Sequence, residues 1–267
     1  MKLTPQQVEK PWGRTSIPRI FGNTGGKRIG EIWFEHEGIA ADPLLVKYIF
    51  TSEKLSVQVH PSDEQAHARG LPSGKSECWY ILDAEPSATL GLGLKKEISA
   101  AELRAAALDG SIEQLMDWRH VTAGDFFFVP AGTVHAIGAG ISLVEFQQNA
   151  DVTYRLYDYG RPRELHLNDG IAVSRPEPFP DRWARPAGGP VDAALHSGPQ
   201  FTLVRAEGLE AIPATLMQRR RWVMPIQGAV AANGEQATAG ECLLVEPGAS
   251  IDFGESAVAL VGSEGAL

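Results

Sequence analysis

The chain has only two cysteines in 267 residues, Cys78 and Cys242, far apart in sequence. Two thiols do not make a disulfide framework, so both are read as reduced packing residues. No apolar run has the length that crosses a bilayer. The first ten residues, Met1 to Lys10, lack the apolar stretch of a signal peptide. The expected compartment is the cytoplasm, with no membrane partner. Positive charge is also short: 24 Lys and Arg stand against 33 Asp and Glu, for a formal net charge of -9. That argues against a nucleic-acid surface. It also means that a phosphate-bearing ligand needs a local basic cluster, for which Lys75 and the run Arg155, Arg161, Arg163 are candidates.

Helix signals are scarce as well. Two capping boxes stand out, Ser62-Asp-Glu-Gln65 with Gly70 as a stop, and Ser99-Ala-Ala-Glu102 opening Leu103 to Leu108. Asp109-Gly110 interrupts the second helix, which resumes through Ile112 to Met116. The rest is short apolar runs punctuated by glycine and proline. Val46 to Thr51, Leu55 to His60, Cys78 to Leu82, Asp125 to Val129 and Ile141 to Phe146 all read as strands. Many strands and few helices predict an all-β fold of closed antiparallel barrels or jelly rolls.

The segment Ala123 to Gly138 aligns without gaps on Ala239 to Gly254, with glycines and Val129/Val245 coinciding. Upstream, the run from Trp79 matches the run from Trp222 more loosely. A repeated unit implies two related modules. The expected organisation is a metal-binding module over 1–175, a Pro/Gly-rich connector or arm over 176–198, and a degenerate module over 199–267. The composition reads first as a connector; an ordered arm wrapping the first module is the alternative, since Phe179 and Trp183 need packing partners. Ile251 replaces His135 in the second copy, and no second Gln-x-His segment exists, so that module keeps the fold without the ion.

Four potential ligands come from three segments: Gln58 and His60, Glu77, and His135. Residues i and i+2 of a strand share a face, so Gln58 and His60 point together while Val57 and Val59 pack behind. Two imidazoles, a carboxylate and an amide oxygen suit a divalent ion such as zinc. Each residue taken singly has a plain structural explanation. A strand histidine is commonly a hydrogen-bonded core residue, the reading given to His36, His67, His120, His166 and His196. Lys75 could neutralise Glu77 as an ion pair, since an unpaired buried carboxylate is costly.

In order along the chain, Gln-x-His-Pro, Lys-x-Glu-x-Trp and Pro-Ala-Gly-x-x-His resemble the ligand segments of cupin barrels. With Lys10-Pro-Trp-Gly13, Leu44 to Lys47 and Gln147 to Asp158, the chain resembles the short bacterial members of the type I, zinc-dependent mannose-6-phosphate isomerases over roughly its first 170 residues. The resemblance implies two cupin-type barrels, the second degenerate, and one zinc ion per chain held by Gln58, His60, Glu77 and His135. It implies Arg155 as the essential arginine, with Asp151 four residues before it, and Glu145 as a proton-transfer group. Lys75 matches the lysine two before the ligand glutamate. Ser56 matches a serine near the phosphate, and Arg161 stands where long members place a phosphate-contacting lysine. Arg14 departs from the usual glycine and is read as a surface charge.

The implied reaction interconverts mannose 6-phosphate and fructose 6-phosphate through a cis-enediol. Lys75 or a water molecule stays open as an alternative base to Glu145. If the chain stays extended, odd-numbered residues from 145 to 155 share a face. Glu145 could instead serve as a structural partner of Arg155, and Arg155 as a rim salt bridge. Two other functions are compatible with the same residues: isomerisation of another aldose, and sugar binding by a non-catalytic cupin. The joint presence of Lys75, Glu145 and Arg155 beside the ligands favours an enzyme.

Overall fold

The computed structural model describes residues 1–35, 42–188 and 194–267. His36 and part of the expected connector lie outside the described residues. Four strands near the centre, Leu44–Phe50, Glu77–Ala84, Phe126–Val129 and Ile141–Gln148, are buried along most of their length. Near-continuous apolar runs of this kind suit a sheet covered on both faces. They sit in a seven-stranded antiparallel sheet in the order Thr4–Arg14, Ile29–Glu35, Leu44–Phe50, Ile141–Gln148, Glu77–Ala84, Phe126–Val129, Ala184–Arg185. A five-stranded sheet closes over it, ordered Tyr154–Tyr157, Val57–Val59, His135–Ile137, Thr89–Leu94, Met116–His120.

Alternation then divides the side chains. Ile49, Trp79, Ile81, Phe127 and Leu143 point into this first barrel. Tyr48, Cys78, Tyr80, Phe128 and Phe146 point out of it, against Phe201, Trp222, Met224 and Leu260 of the C-terminal half. The two halves therefore share one apolar layer, where each buried large side chain contributes about 1.5–3 kcal/mol. Cys78 and Cys242 are buried, unbridged members of that layer.

The C-terminal half repeats the plan with a five-stranded sheet, Ala194–Ser197, Phe201–Ala206, Val258–Glu264, Arg221–Gln227, Leu243–Val245, facing a three-stranded one. Equivalent backbone positions behave alike. Gly124 and Gly240 have φ of 94° and 98°, a region that glycine enters without steric cost. The Thr122 amide donates to Asp125 at 2.8 Å, as the Thr238 amide does to Glu241 at 2.9 Å. Strand pairing corrects one part of the expected alignment. Trp79 lies opposite Phe127, and its equivalent opposite Leu243 is Val223; Trp222 takes the place of Cys78.

Both capping boxes form, at Ser62/Gln65 and Ser99/Glu102, and Gly110 closes the second helix in a left-handed conformation. The Leu55 to His60 strand is shorter than expected, Val57–Val59, because Pro61 follows so soon. Arg14 is no free surface charge: its guanidinium donates to the Thr51 carbonyl and to the Ser142 hydroxyl. Residues 175–185 lie along the first barrel, where Arg175 donates its amide to the Gly132 carbonyl and Ala184 pairs with Phe127. Phe179 is buried in the barrel core and Trp183 packs on Phe128 and Phe179.

The remaining described histidines are structural, though not alike. His67 and His120 are exposed, and His166 accepts the Arg155 amide. His196 stacks on Phe128 at 3.7 Å, and its Nε2 is buried without a hydrogen-bond partner. Burial, and then the charge of Arg185, lower the His196 pKa from 6.5 to about 4. Between those values the unfolded chain binds the extra proton and the folded chain does not. This contribution to stability is therefore complete above pH 6.5 and lost as pH falls towards 4. Denaturation of the wild type and of His196→Phe across that window should show a shallower loss in the variant; parallel curves would contradict the assignment.

Candidate metal centre and substrate cavity

Two rows of side chains face each other inside the first barrel. On the large sheet Glu145 stands between Lys47 and Trp79, and Gln147 stands between Leu45 and Glu77. On the small sheet Gln58 stands between Arg155 and His135. Period-two alternation sends all of these inward, while Val57 and Val59 pack behind the small sheet against the helices. His60 follows the end of its strand and enters the same space.

His60, Glu77 and His135 meet there, fully buried, with their donor atoms all within 4.8 Å of one another. Each imidazole is fixed by its other nitrogen. His60 Nδ1 donates to the Val152 carbonyl and His135 Nδ1 to the Thr133 carbonyl, both at 2.8 Å. Each Nε2 therefore turns a lone pair towards Glu77. His60 Nε2 lies 3.4 Å from Glu77 Oε2, and His135 Nε2 lies 3.3 Å from Glu77 Oε1. No proton is available between lone pair and carboxylate, so His60 Nε2 and both Glu77 oxygens are buried without a hydrogen bond. Donors held this close, with His60 Nε2 and both Glu77 oxygens unsatisfied, form a group that could hold a cation. Four tetrahedral donors at about 2.0–2.1 Å from one centre stand about 3.3–3.4 Å apart. The two imidazole–carboxylate contacts have that spacing, each to a different oxygen of Glu77. Gln58 lies beside the triad, with Nε2 at 3.3 Å from His135 Nε2; turning its amide over would present the oxygen instead.

Charge around the triad is consistent with its filling. Burial pushes both imidazoles down, His60 to about 3, so both are neutral as ligands must be. Burial alone would raise Glu77, but the charge of Lys75 holds it well below the usual carboxylate range. Lys75 Nζ lies 3.3 Å from Glu77 Oε2. Glu145 moves the other way: burial and the Glu77 charge raise it, against the opposing pull of Lys47 and Lys75. Two carboxylates in one cavity are thus pushed apart, Glu77 down and Glu145 up.

Above this group lies a cavity of about 120 Å³, reached by Ser56, Gln58, Lys75, Glu145, Asp151 and Arg155. Ser56 is buried and donates to Gln58 Oε1 at 3.1 Å. Asp151 is exposed at the cavity edge. Arg155 donates Nε to the Glu164 carbonyl at 3.0 Å, and burial followed by the nearby Arg163 charge lowers its pKa.

Three expectations change. The chain does not stay extended from 145 to 155: the strand ends at Gln148, and Tyr154–Tyr157 belongs to the opposite sheet. Glu145 does not pair with Arg155; it accepts from Lys47 Nζ at 2.8 Å and Trp79 Nε1 at 2.8 Å. Arg161 does not line the cavity, because its guanidinium is drawn to Asp158 and the Lys54 carbonyl. Lys47 and Glu31 line the cavity, both buried, and were not singled out. The available signal was a lone lysine amid Leu44-Leu-Val-Lys-Tyr-Ile-Phe50, since a charge inside an apolar strand needs a partner.

No family model matches the chain. It is 42% identical to mannose-6-phosphate isomerase ManA of Bacillus subtilis (strain 168) over 171 residues, covering 59% of this chain and 54% of the relative. It is 36% identical to mannose-6-phosphate isomerase of Streptococcus mutans over 195 residues, covering 67% of this chain and 61% of the relative. The chain thus spans a little over half the length of the curated relatives it matches. The crystal structure of the mannose 6-phosphate isomerase from Bacillus subtilis superposes with a TM-score of 0.76 over 98% of both chains, at 25% identity. In sequence and in fold the chain is thus similar to the type I mannose-6-phosphate isomerases.

Proposed function

We propose that this chain interconverts mannose 6-phosphate and fructose 6-phosphate at the cavity above His60, Glu77 and His135. The observation that carries the reading is the set of three buried donors whose lone pairs point at one another without a proton between them. His60, Glu77, His135 and the amide of Gln58 would hold one divalent ion. Two neutral imidazoles, a carboxylate and an amide oxygen favour zinc. A divalent cation there supplies Lewis-acid polarisation of the substrate oxygens at C1 and C2.

The chain's own residues do the rest. Glu145 lines the cavity and its carboxyl is raised, which suits a group that takes a proton from one carbon and returns it to the next. Lys47 and Trp79 hold that carboxylate in place from both sides. Lys75 compensates the charge of Glu77 and lines the cavity, where its ammonium can donate to a substrate oxygen. Arg155 has both terminal nitrogens free of hydrogen bonds among the described residues, so it can donate to the enediol as charge builds. Ser56 and Asp151 would position the sugar phosphate from floor and rim.

In this reading residues 1–175 form the catalytic module, 176–198 an arm, and 199–267 a module without an ion site. The cytoplasm is the compartment it expects. Purified protein should isomerise mannose 6-phosphate, with mannose and ribose as unphosphorylated controls; a chelator should stop the reaction and zinc restore it. Activity that survives complete metal removal would falsify the mechanism. Glu145→Gln should lower kcat by about 10²–10⁴-fold with metal content and melting temperature kept. Arg155→Ala should reduce turnover far more than metal content; equal losses would point to a structural role.

A further inference from the structure

We infer that Arg163, and not Arg161, is the residue that grips the phosphate of the substrate alongside Arg155. The inference deepens the reading above and rests on it. The two arginines stand two residues apart in Arg161-Pro-Arg163, yet they face different ways. Arg161 is turned elsewhere: Nε donates to Asp158, Nη2 donates to the Lys54 carbonyl at 2.7 Å, and Nη1 faces Glu53 at 3.9 Å, all outside the cavity lining. It also covers the ring of Tyr159 at 5.6 Å, away from the cavity.

Arg163 is held differently. Its Nε and Nη2 make a fork on the two oxygens of Asp158, at 2.6 and 2.7 Å. That fork leaves Nη1 without a hydrogen-bond partner among the described residues, on a side chain that lines the cavity. Asp158 is 2% exposed, so the fork is rigid and shielded from water. Arg155, across the same wall, also has terminal nitrogens unspent. The buried carboxylate of Asp158 serves both Arg161 and Arg163, while Glu53 faces Arg161 alone. In a chain of net charge -9, two guanidinium groups kept together on a cavity wall mark a place for a dianion. Asp158 then acts as a positioning residue for Arg163.

The test is calorimetric titration of inorganic phosphate and of mannose 6-phosphate into zinc-loaded protein. Arg163→Ala should weaken both about 10- to 100-fold, the range for one hydrogen bond to a charged group. Arg163→Lys should restore part of the loss, since it returns the charge without the fork. Arg161→Ala should stay within about threefold of wild type. Arg163→Met keeps the stem and serves if alanine lowers the melting temperature. Equal weakening by Arg161→Ala, unchanged binding in Arg163→Ala and Arg163→Met, or no phosphate binding by the wild type would each overturn the inference. The expected binding pattern without isomerisation of mannose 6-phosphate would leave it standing and remove the proposed reaction.

Discussion

A carboxylate buried between two imidazole lone pairs is the constraint around which the first barrel is arranged. Glu77 cannot accept a proton from His60 or His135, because both rings have spent their N–H on backbone carbonyls. Without a cation the three would repel one another. Lys75 relieves part of that cost on one side only. Register does the positioning: Gln147 opposite Glu77, and Gln58 opposite His135, bring the donors from two sheets to one height. A slip of one residue in any of these strands would turn its donor out of the barrel.

The same registers explain what could be read in the chain beforehand. Gln58, Glu77 and His135 lie on strands and His60 directly after one, each with alternating or apolar neighbours, so period-two reasoning aimed them correctly. The capping boxes at Ser62 and Ser99 were equally local and equally legible. Lys47 was harder, because its partners Glu31 and Glu145 come from strands 16 and 98 residues away. Pairing order across a sheet is not written in local periodicity. The arginines after Tyr157 lie beyond regular structure, where alternation gives no direction. There Asp158 accepts from both guanidinium groups, and only the folded loop shows that Arg163 is the one lining the cavity.

Loss of strand order between Gln148 and Tyr154 has a similar origin. This stretch leaves the large sheet and joins the small one, so the chain must turn across the mouth of the barrel. In doing so it places the Val152 carbonyl on His60 and brings Asp151 and Thr153 to the cavity. A connection between sheets thus links the tautomer of a ligand to the wall of the substrate space.

The C-terminal half carries other residues on the same frame. Pairing with Val245 puts Arg221 where Glu77 stands opposite Val129, and Val261 replaces Glu145. Arg221 is fully buried and donates to the Glu246 and Ala249 carbonyls at 2.7 and 2.8 Å. The repeated frame thus holds, at the position of Glu77, a cation tethered to its own backbone. A histidine introduced at Ile251 alone would meet no carboxylate opposite Val245, so a metal centre engineered into this half would have to begin with the replacement of Arg221.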